Sequence, residues 1–252
     1  INTEANELGL FVSIDGEVAY YSSTVRGDWN IYAFELYEEA RPQPVAILKG
    51  ELKDENGEAV KDATIEVLYE GSDEVTKVKV NGDDGKYAAI VKKDTPGDVM
   101  VTVKKDGHAF DAKVIKKEEI AENVAIKGKD LDVRELKMGE SYTINNILYP
   151  TSSSVMSSKS KFILKGFARF LNENKAITVA IQGHTDDVGD DQRNLTLSDE
   201  RANGVRNYLI SLGVDQSRLT AKGFGETQPK VKNDSAANRA KNRRTDFVIE
   251  GM

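Results

Sequence analysis

Across residues 10–36, apolar and polar positions alternate in two runs about Asp15-Gly16, and in a third run after Gly27-Asp28. A period of two bounded by such turn pairs predicts three strands. Three strands alone provide no second layer to close a core. Residues 38–44, acidic and containing Pro42 and Pro44, interrupt the alternation and predict a linker. From Val45 to about Ile115 the period of two returns in short runs, separated by turn-forming clusters at 54–57, 81–85, 94–98 and 106–107. Turns about every 8 to 12 residues predict an all-β sandwich.

The period then changes. Residues 116–130 are charged and weakly patterned, as suits a surface connection. Residues 141–148 predict a strand. Residues 157–174 predict a helix with Ile163, Phe167, Phe170 and Leu171 on one face. A strand follows over 176–182, then a helix over 198–212 with Ala202, Val205, Leu209 and Leu212 inward and Gly213 as its stop. Residues 219–224, a short helix over 236–242 and a strand over 245–250 complete the chain. Strands alternating with helices predict an α/β (α+β) sandwich with a mixed sheet. The pattern divides the chain into a strand-rich piece with its linker (1–40), an all-β sandwich (45–115) and an α/β domain (127–252), a multi-domain fold.

Composition narrows the function classes. The chain of 252 residues is 39% hydrophobic and 31% charged, enough for packed cores, and has no apolar run near the roughly 20 residues of a membrane helix. A net charge of −7 opposes nucleic-acid binding, which draws its affinity from basic patches. There is no cysteine and only His108 and His184 are histidines. Serine or cysteine triads and multi-histidine zinc sites are therefore hard to build, no catalytic residue, metal or cofactor is implied, and a binding protein is favoured over an enzyme. The chain begins at Ile1, and we expect it to be part of a longer exported protein whose signal or lipid anchor lies upstream.

Candidate chemistry concentrates at 183–205. If Ser198 caps its helix, Arg201 occupies the third helical position, where a cation opposes the helix dipole at a cost of about 0.3–1 kcal/mol. A residue placed against local preference often marks function. Asp186 stands at a strand end, where α/β sheets present ligand groups, fifteen positions before Arg201. Side by side at a pocket mouth, the two would meet a zwitterion: the carboxylate accepts from an ammonium and the guanidinium forks onto a carboxylate. An internal salt bridge without a ligand is the alternative. The acids Asp186, Asp187, Asp190 and Asp191 lack the spacing of a calcium loop.

The segment 183–205 reads G-H-T-D-D-V-G, then N-L-T-L-S-D-E-R-A-N-G-V, and resembles the OmpA C-terminal and Pal family; blocks at 213–219, 223–229 and 238–244 match in order. That resemblance implies non-covalent peptidoglycan binding through the diaminopimelate of the stem peptide, with Asp186 and Arg201 as the clamp. It carries Thr185, Asn194 and Leu197 into the ligand set, Asn194 either donating to the ligand or holding the loop. Ser152 falls in the loop that lines the family's pocket, but the usual acidic motif there is replaced by Tyr149-Pro150-Thr151-Ser152. Tyr149, His184, Arg243 and Arg244 are pocket supports, His184 as a structural histidine fixing the strand-end turn. The implied setting is periplasmic and outer-membrane associated, as a cell wall anchor. Residues 45–115 are similar to a carboxypeptidase regulatory-like, transthyretin-like sandwich, and 10–36 resemble the closing blade of a TolB-like propeller. In that order the pieces resemble multi-domain OmpA-family proteins of Bacteroidetes, some associated with type IX secretion. A scaffold in which the β-domains recruit protein partners, and a wall hydrolase, are the competing readings.

Overall fold

The computed structural model describes residues 4–13, 16–128, 131–143, 147 and 154–252. Strands β1 (Glu7–Val12), β2 (Val18–Arg26) and β3 (Asp28–Glu35) form an antiparallel meander, as the alternation predicts. One face carries Leu8, Phe11, Tyr20, Trp29 and Ile31, set together by the pairings of Phe11 with Tyr20 and of Ser22 with both Leu8 and Ile31. All five are exposed. A single 3-10 turn, Glu38–Ala40, opens the exposed stretch to Val45.

The sandwich is built from β4 (Val45–Glu51), β5 (Thr64–Tyr69), β6 (Val75–Lys79), β7 (Lys86–Lys92), β8 (Val99–Lys104) and β9 (Ala112–Ile115); buried and exposed positions alternate cleanly in β7, whereas β5 and β8 are buried along nearly their whole length. One sheet runs β6-β5-β8-β9. The other contains β4 and β7 and gains β10 (Ala125–Lys127), parallel to β4. Between the sheets lie Leu48, Ile65, Val67, Val91 and Val101, all fully buried. Residues 116–128 are more than a surface connection. Helix α1 (Lys117–Glu122) inserts Ile120 at 0% exposure, Ile126 is buried through β10, and Leu131 and Val133 join the same core. Four apolar anchors spaced among charges complete the sandwich core, although they leave no readable period.

The last domain has a four-stranded mixed sheet in the order β11 (Ser141–Thr143), β14 (Thr245–Gly251), β12 (Thr178–Gly183), β13 (Leu219–Gly223), with β12 and β13 parallel and the other pairs antiparallel. Helix α2 (Ser158–Glu173) starts where Ser157 Oγ accepts from the backbone N–H of Ser160, and buries Phe167 on Phe247 with ring centroids 4.7 Å apart. Helix α3 (Asp191–Ser211) lies against β12 and β13, and Gly213, at φ +87°, follows its C-cap. Arg218 ties the end of α2 to β12 by donating to the carbonyls of Leu171, Asn174 and Ile177 at 2.8 Å. Helix α4 (Ala236–Asn242) precedes the last strand.

The sandwich and this domain share apolar packing. Leu68, Met100 and Phe110 belong to one buried cluster with α2, α3 and the mixed sheet. Phe110 meets Phe167 and Phe170 at centroid distances of 5.5 and 6.0 Å. Gly166 lets Met100 approach: a Cβ there would lie 2.5 Å from Met100 Cε. Around this contact Glu66, 5% exposed, holds Lys77 at 2.9 Å and Arg169 of α2 at 3.3 Å, while Lys104 reaches Glu173 at 2.7 Å. Among the described residues, no helix is long and apolar enough to cross a membrane.

Candidate functional site

Two glycines seat α3 on the sheet. In the parallel register Gly183 of β12 faces Gly223 of β13. A Cβ at Gly183 would lie 2.2 Å from the carbonyl oxygen of Ser198, and one at Gly223 would lie 2.2 Å from the backbone nitrogen of Asp199. Only glycine admits a helix backbone this close. Polar bonds then fasten the two loops that leave these strands. The Asp199 carboxylate accepts from Gly223 N–H at 3.1 Å, Ser198 Oγ accepts from Gly225 N–H at 2.8 Å, and Thr185 N–H donates to the Gly225 carbonyl at 2.9 Å.

This placement corrects the expected helix start. Asp190, not Ser198, is the N-cap, accepting from Arg193 N–H at 2.9 Å. Ser198 is an interior residue at 0% exposure whose hydroxyl donates to the Leu195 carbonyl. Arg201 is thus in the third turn, away from the positive end of the dipole, so the electrostatic reason for singling it out does not hold. It remains notable for burial, at 8% exposure. Asn194, Ser198 and Arg201 recur at four- and three-residue intervals and so share the inward face of α3.

Asp186 is also 8% exposed, so neither charged residue stands at an open pocket mouth. Its Oδ2 accepts from Arg243 Nη1 at 2.6 Å and its Oδ1 from Val188 N–H at 3.3 Å. Arg243, from the end of α4, has a side chain 49% exposed. The pocket-support residue Arg243 is therefore an ion-pair partner of Asp186, while Arg201 lies on the same buried face of α3 as Asn194. Asn194 holds that loop, donating through Nδ2 to the carbonyls of Asp186 and Val188, each at 3.3 Å, and to Glu226 Oε2 at 2.8 Å. Thr185 is buried with no hydrogen-bond partner for its hydroxyl among the described residues, and Leu197 is half-buried. Tyr149 and Ser152 lie outside the described residues.

His184 packs under the strand end at 2% exposure, its ring 5.5 Å from Phe224 and inclined by 13°. Burial and, next, the charge of Arg244 lower its pKa to about 4, against an opposing pull from Asp246. The imidazole is neutral at pH 7, and the 3.6 Å approach of Nε2 to Asp246 Oδ2 is no ion pair. The ionic partner of that carboxylate is Arg244, whose Nε donates at 2.8 Å, so Arg244 braces the final strand. Asn242, 0% exposed, accepts from the N–H groups of Lys230 and Val231 and donates to Val231 O and Asn233 Oδ1, pinning the 230–233 segment to α4. Sequence reading missed Glu226, Asn242 and Asp246 as organisers and gave Ser198 a different role; Ser198, Glu226 and Asn242 do stand inside the recognisable blocks.

The OmpA family model matches residues 148–243, which contain all of α2, α3 and the Asp186 loop. The chain is 37% identical over 107 residues to outer membrane porin F of Pseudomonas fluorescens, covering 42% of this chain and 33% of the porin. It is 30% identical over 115 residues to the peptidoglycan-associated lipoprotein of Mesorhizobium japonicum, covering 44% of this chain and 68% of that protein. The crystal structure of the peptidoglycan-associated lipoprotein from Burkholderia pseudomallei matches at 30% identity and a TM-score of 0.39, over 41% of this chain and 87% of that one. The chain thus spans about a third of the porin but more than two thirds of the Mesorhizobium lipoprotein. With its glycine-seated helix and the buried carboxylate of Asp186 inside the matched region, this chain belongs to the OmpA family.

Proposed function

We propose that this chain binds peptidoglycan non-covalently through the Asp186 loop and anchors a periplasmic, outer-membrane-associated assembly to the cell wall. The observation that carries the reading is the arrangement of Asp186. It is a buried carboxylate on a loop fixed from both sides and flanked by a half-exposed guanidinium from Arg243, with a second buried guanidinium, Arg201, on the inward face of the helix that carries Asn194. Opposite charges in one partly desolvated place suit a ligand group that carries both signs. The names of the relatives, peptidoglycan-associated lipoproteins, favour the same substrate. The diaminopimelate of the stem peptide is the zwitterion of this kind, with Asp186 toward its ammonium and Arg201 toward its carboxylate. Thr185, Asn194 and Leu197 shape the loop around it.

Co-sedimentation of the whole chain with purified sacculi tests the proposal. Wild type pellets with the wall; Asp186→Ala and Arg201→Ala each lower binding at least tenfold, as loss of one partner of a desolvated charge contact costs about 2–5 kcal/mol. Wild-type protein that stays in the supernatant while folded refutes wall binding.

One further observation favours an added scaffold role: the meander exposes Leu8, Phe11, Tyr20, Trp29 and Ile31 on one face, as a recruiting surface would. In that reading the regulatory-like sandwich and propeller-like meander dock partners, of which type IX secretion components are one class.

A further inference from the structure

We infer that Glu226 is a positioning residue of this site: it fixes the side-chain amide of Asn194 so that the atom Asn194 offers a ligand is a hydrogen-bond acceptor. The inference rests on the reading above, that the Asp186 loop binds part of the stem peptide. Asn194 is 6% exposed, and its Nδ2 meets the carbonyls of Asp186 and Val188 at 3.3 Å and the Glu226 carboxylate at 2.8 Å. A primary amide has a donor end and an acceptor end, and its orientation is decided by its partners. Here all three partners are oxygens without a hydrogen to give. The amide therefore has one acceptable orientation, because turning it over would set Oδ1 against three acceptors.

Glu226 makes the shortest of the three bonds, so it does most to hold this orientation. Its own position is fixed by the turn that carries it. Thr227 donates to the Phe224 carbonyl from both N–H and Oγ1, at 3.2 and 2.6 Å, and Gly225 N–H is held by Ser198 Oγ, one helical turn after Asn194. With both amide hydrogens engaged, Oδ1 is the polar atom left for a ligand. It faces Gly189, where a Cβ would stand 3.8 Å away and where φ of +113° favours glycine. At Gly189 the loop presents backbone without a side chain.

The loop thus shows a ligand two kinds of acceptor, the Asp186 carboxylate and Asn194 Oδ1. Such a surface selects a group that brings N–H donors. A free ammonium brings three and a positive charge; the same nitrogen, once acylated, brings one hydrogen and no charge.

Calorimetry on the whole chain separates this from loop support alone. The probes are a tripeptide stem ending in diaminopimelate with its terminal amine free, and the same tripeptide acetylated at that amine. Wild type should prefer the free amine at least tenfold. Glu226→Ala should weaken the free-amine stem about fivefold, the usual worth of one hydrogen bond, and leave the acetylated stem nearly unchanged, so the preference falls. Glu226→Gln keeps a carbonyl that can accept from Asn194 and should keep the preference. If Glu226→Ala does not fold, Glu226→Lys, which offers Asn194 only donors, should show the same fall. Wild-type binding with a preference untouched by Glu226→Ala, or weakened for both stems alike, overturns the inference alone. No wild-type binding to either stem overturns the functional reading and this inference with it.

Discussion

Acid should unfold this protein partly through His184, and the size of the effect follows from its surroundings. The imidazole is 2% exposed, stacked on Phe224, without a hydrogen bond to either ring nitrogen among the described residues, and close to the Arg244 guanidinium that pairs with Asp246. Burial first, and Arg244 second, bring its pKa from 6.5 down to about 4. The unfolded chain takes up a proton at this histidine near pH 6.5, whereas the folded chain resists until about pH 4. Protons are therefore bound preferentially by the unfolded state between these values, so stability present above pH 6.5 drains away as the pH falls and the loss is complete below about 4. At 1.36 kcal/mol per pH unit the interval corresponds to about 3 kcal/mol. Urea unfolding of wild type and His184→Gln at pH 7.5, 5.5 and 4 measures it. Carboxylates that titrate in the same range are common to both proteins, so the difference between the two stability curves isolates the histidine. Wild type should lose about 3 kcal/mol more than the variant. Parallel curves would refute the assignment of a buried, neutral imidazole.

Three further outcomes are expected. Gly223→Ala should destabilise by about 1–3 kcal/mol or more in thermal melts, since its Cβ would press on the Asp199 backbone and on Ser198 Oγ at 2.4 Å. An unchanged melt would show that α3 can lift off the sheet freely. Asn242→Ala orphans the N–H groups of Lys230 and Val231, and should cost about 1–3 kcal/mol for each that water cannot reach, with faster amide exchange confined to 230–233. Phe110→Ala should cost about 3–5 kcal/mol and lower the melting of the sandwich and the α/β domain together; two separate transitions would show that they unfold independently.

Helix α2 was legible because Ser157 caps it and its apolar face repeats from end to end. The start of α3 was not, for a reason visible in its first turns. There the inward positions are polar, Asn194 and Ser198, while Leu195 is turned outward at 42% exposure, so apolar periodicity begins only at Ala202. The cap, Asp190, is one of four acids in six residues and carries no distinguishing mark. The residues that build the site broke the pattern by which its helix is recognised. The Asp186–Arg243 pair spans 57 positions and depends on the register of β12 with β14, which no local spacing encodes. The buried faces of Phe110 and Phe170 were likewise readable as apolar, but nothing in the alternation says that one meets the other.

If the Asp186 loop binds the wall as proposed, that meeting decides how the molecule searches for its ligand. A binding loop on a slack peptide samples many directions and gives up that freedom on engagement, which lowers its effective concentration at any one place. Here Phe110, Met100 and the Glu66–Arg169 contact fasten the loop's own domain to the sandwich. Little orientational entropy is left to lose on binding, and in return the aim of the loop is set wherever the sandwich is held.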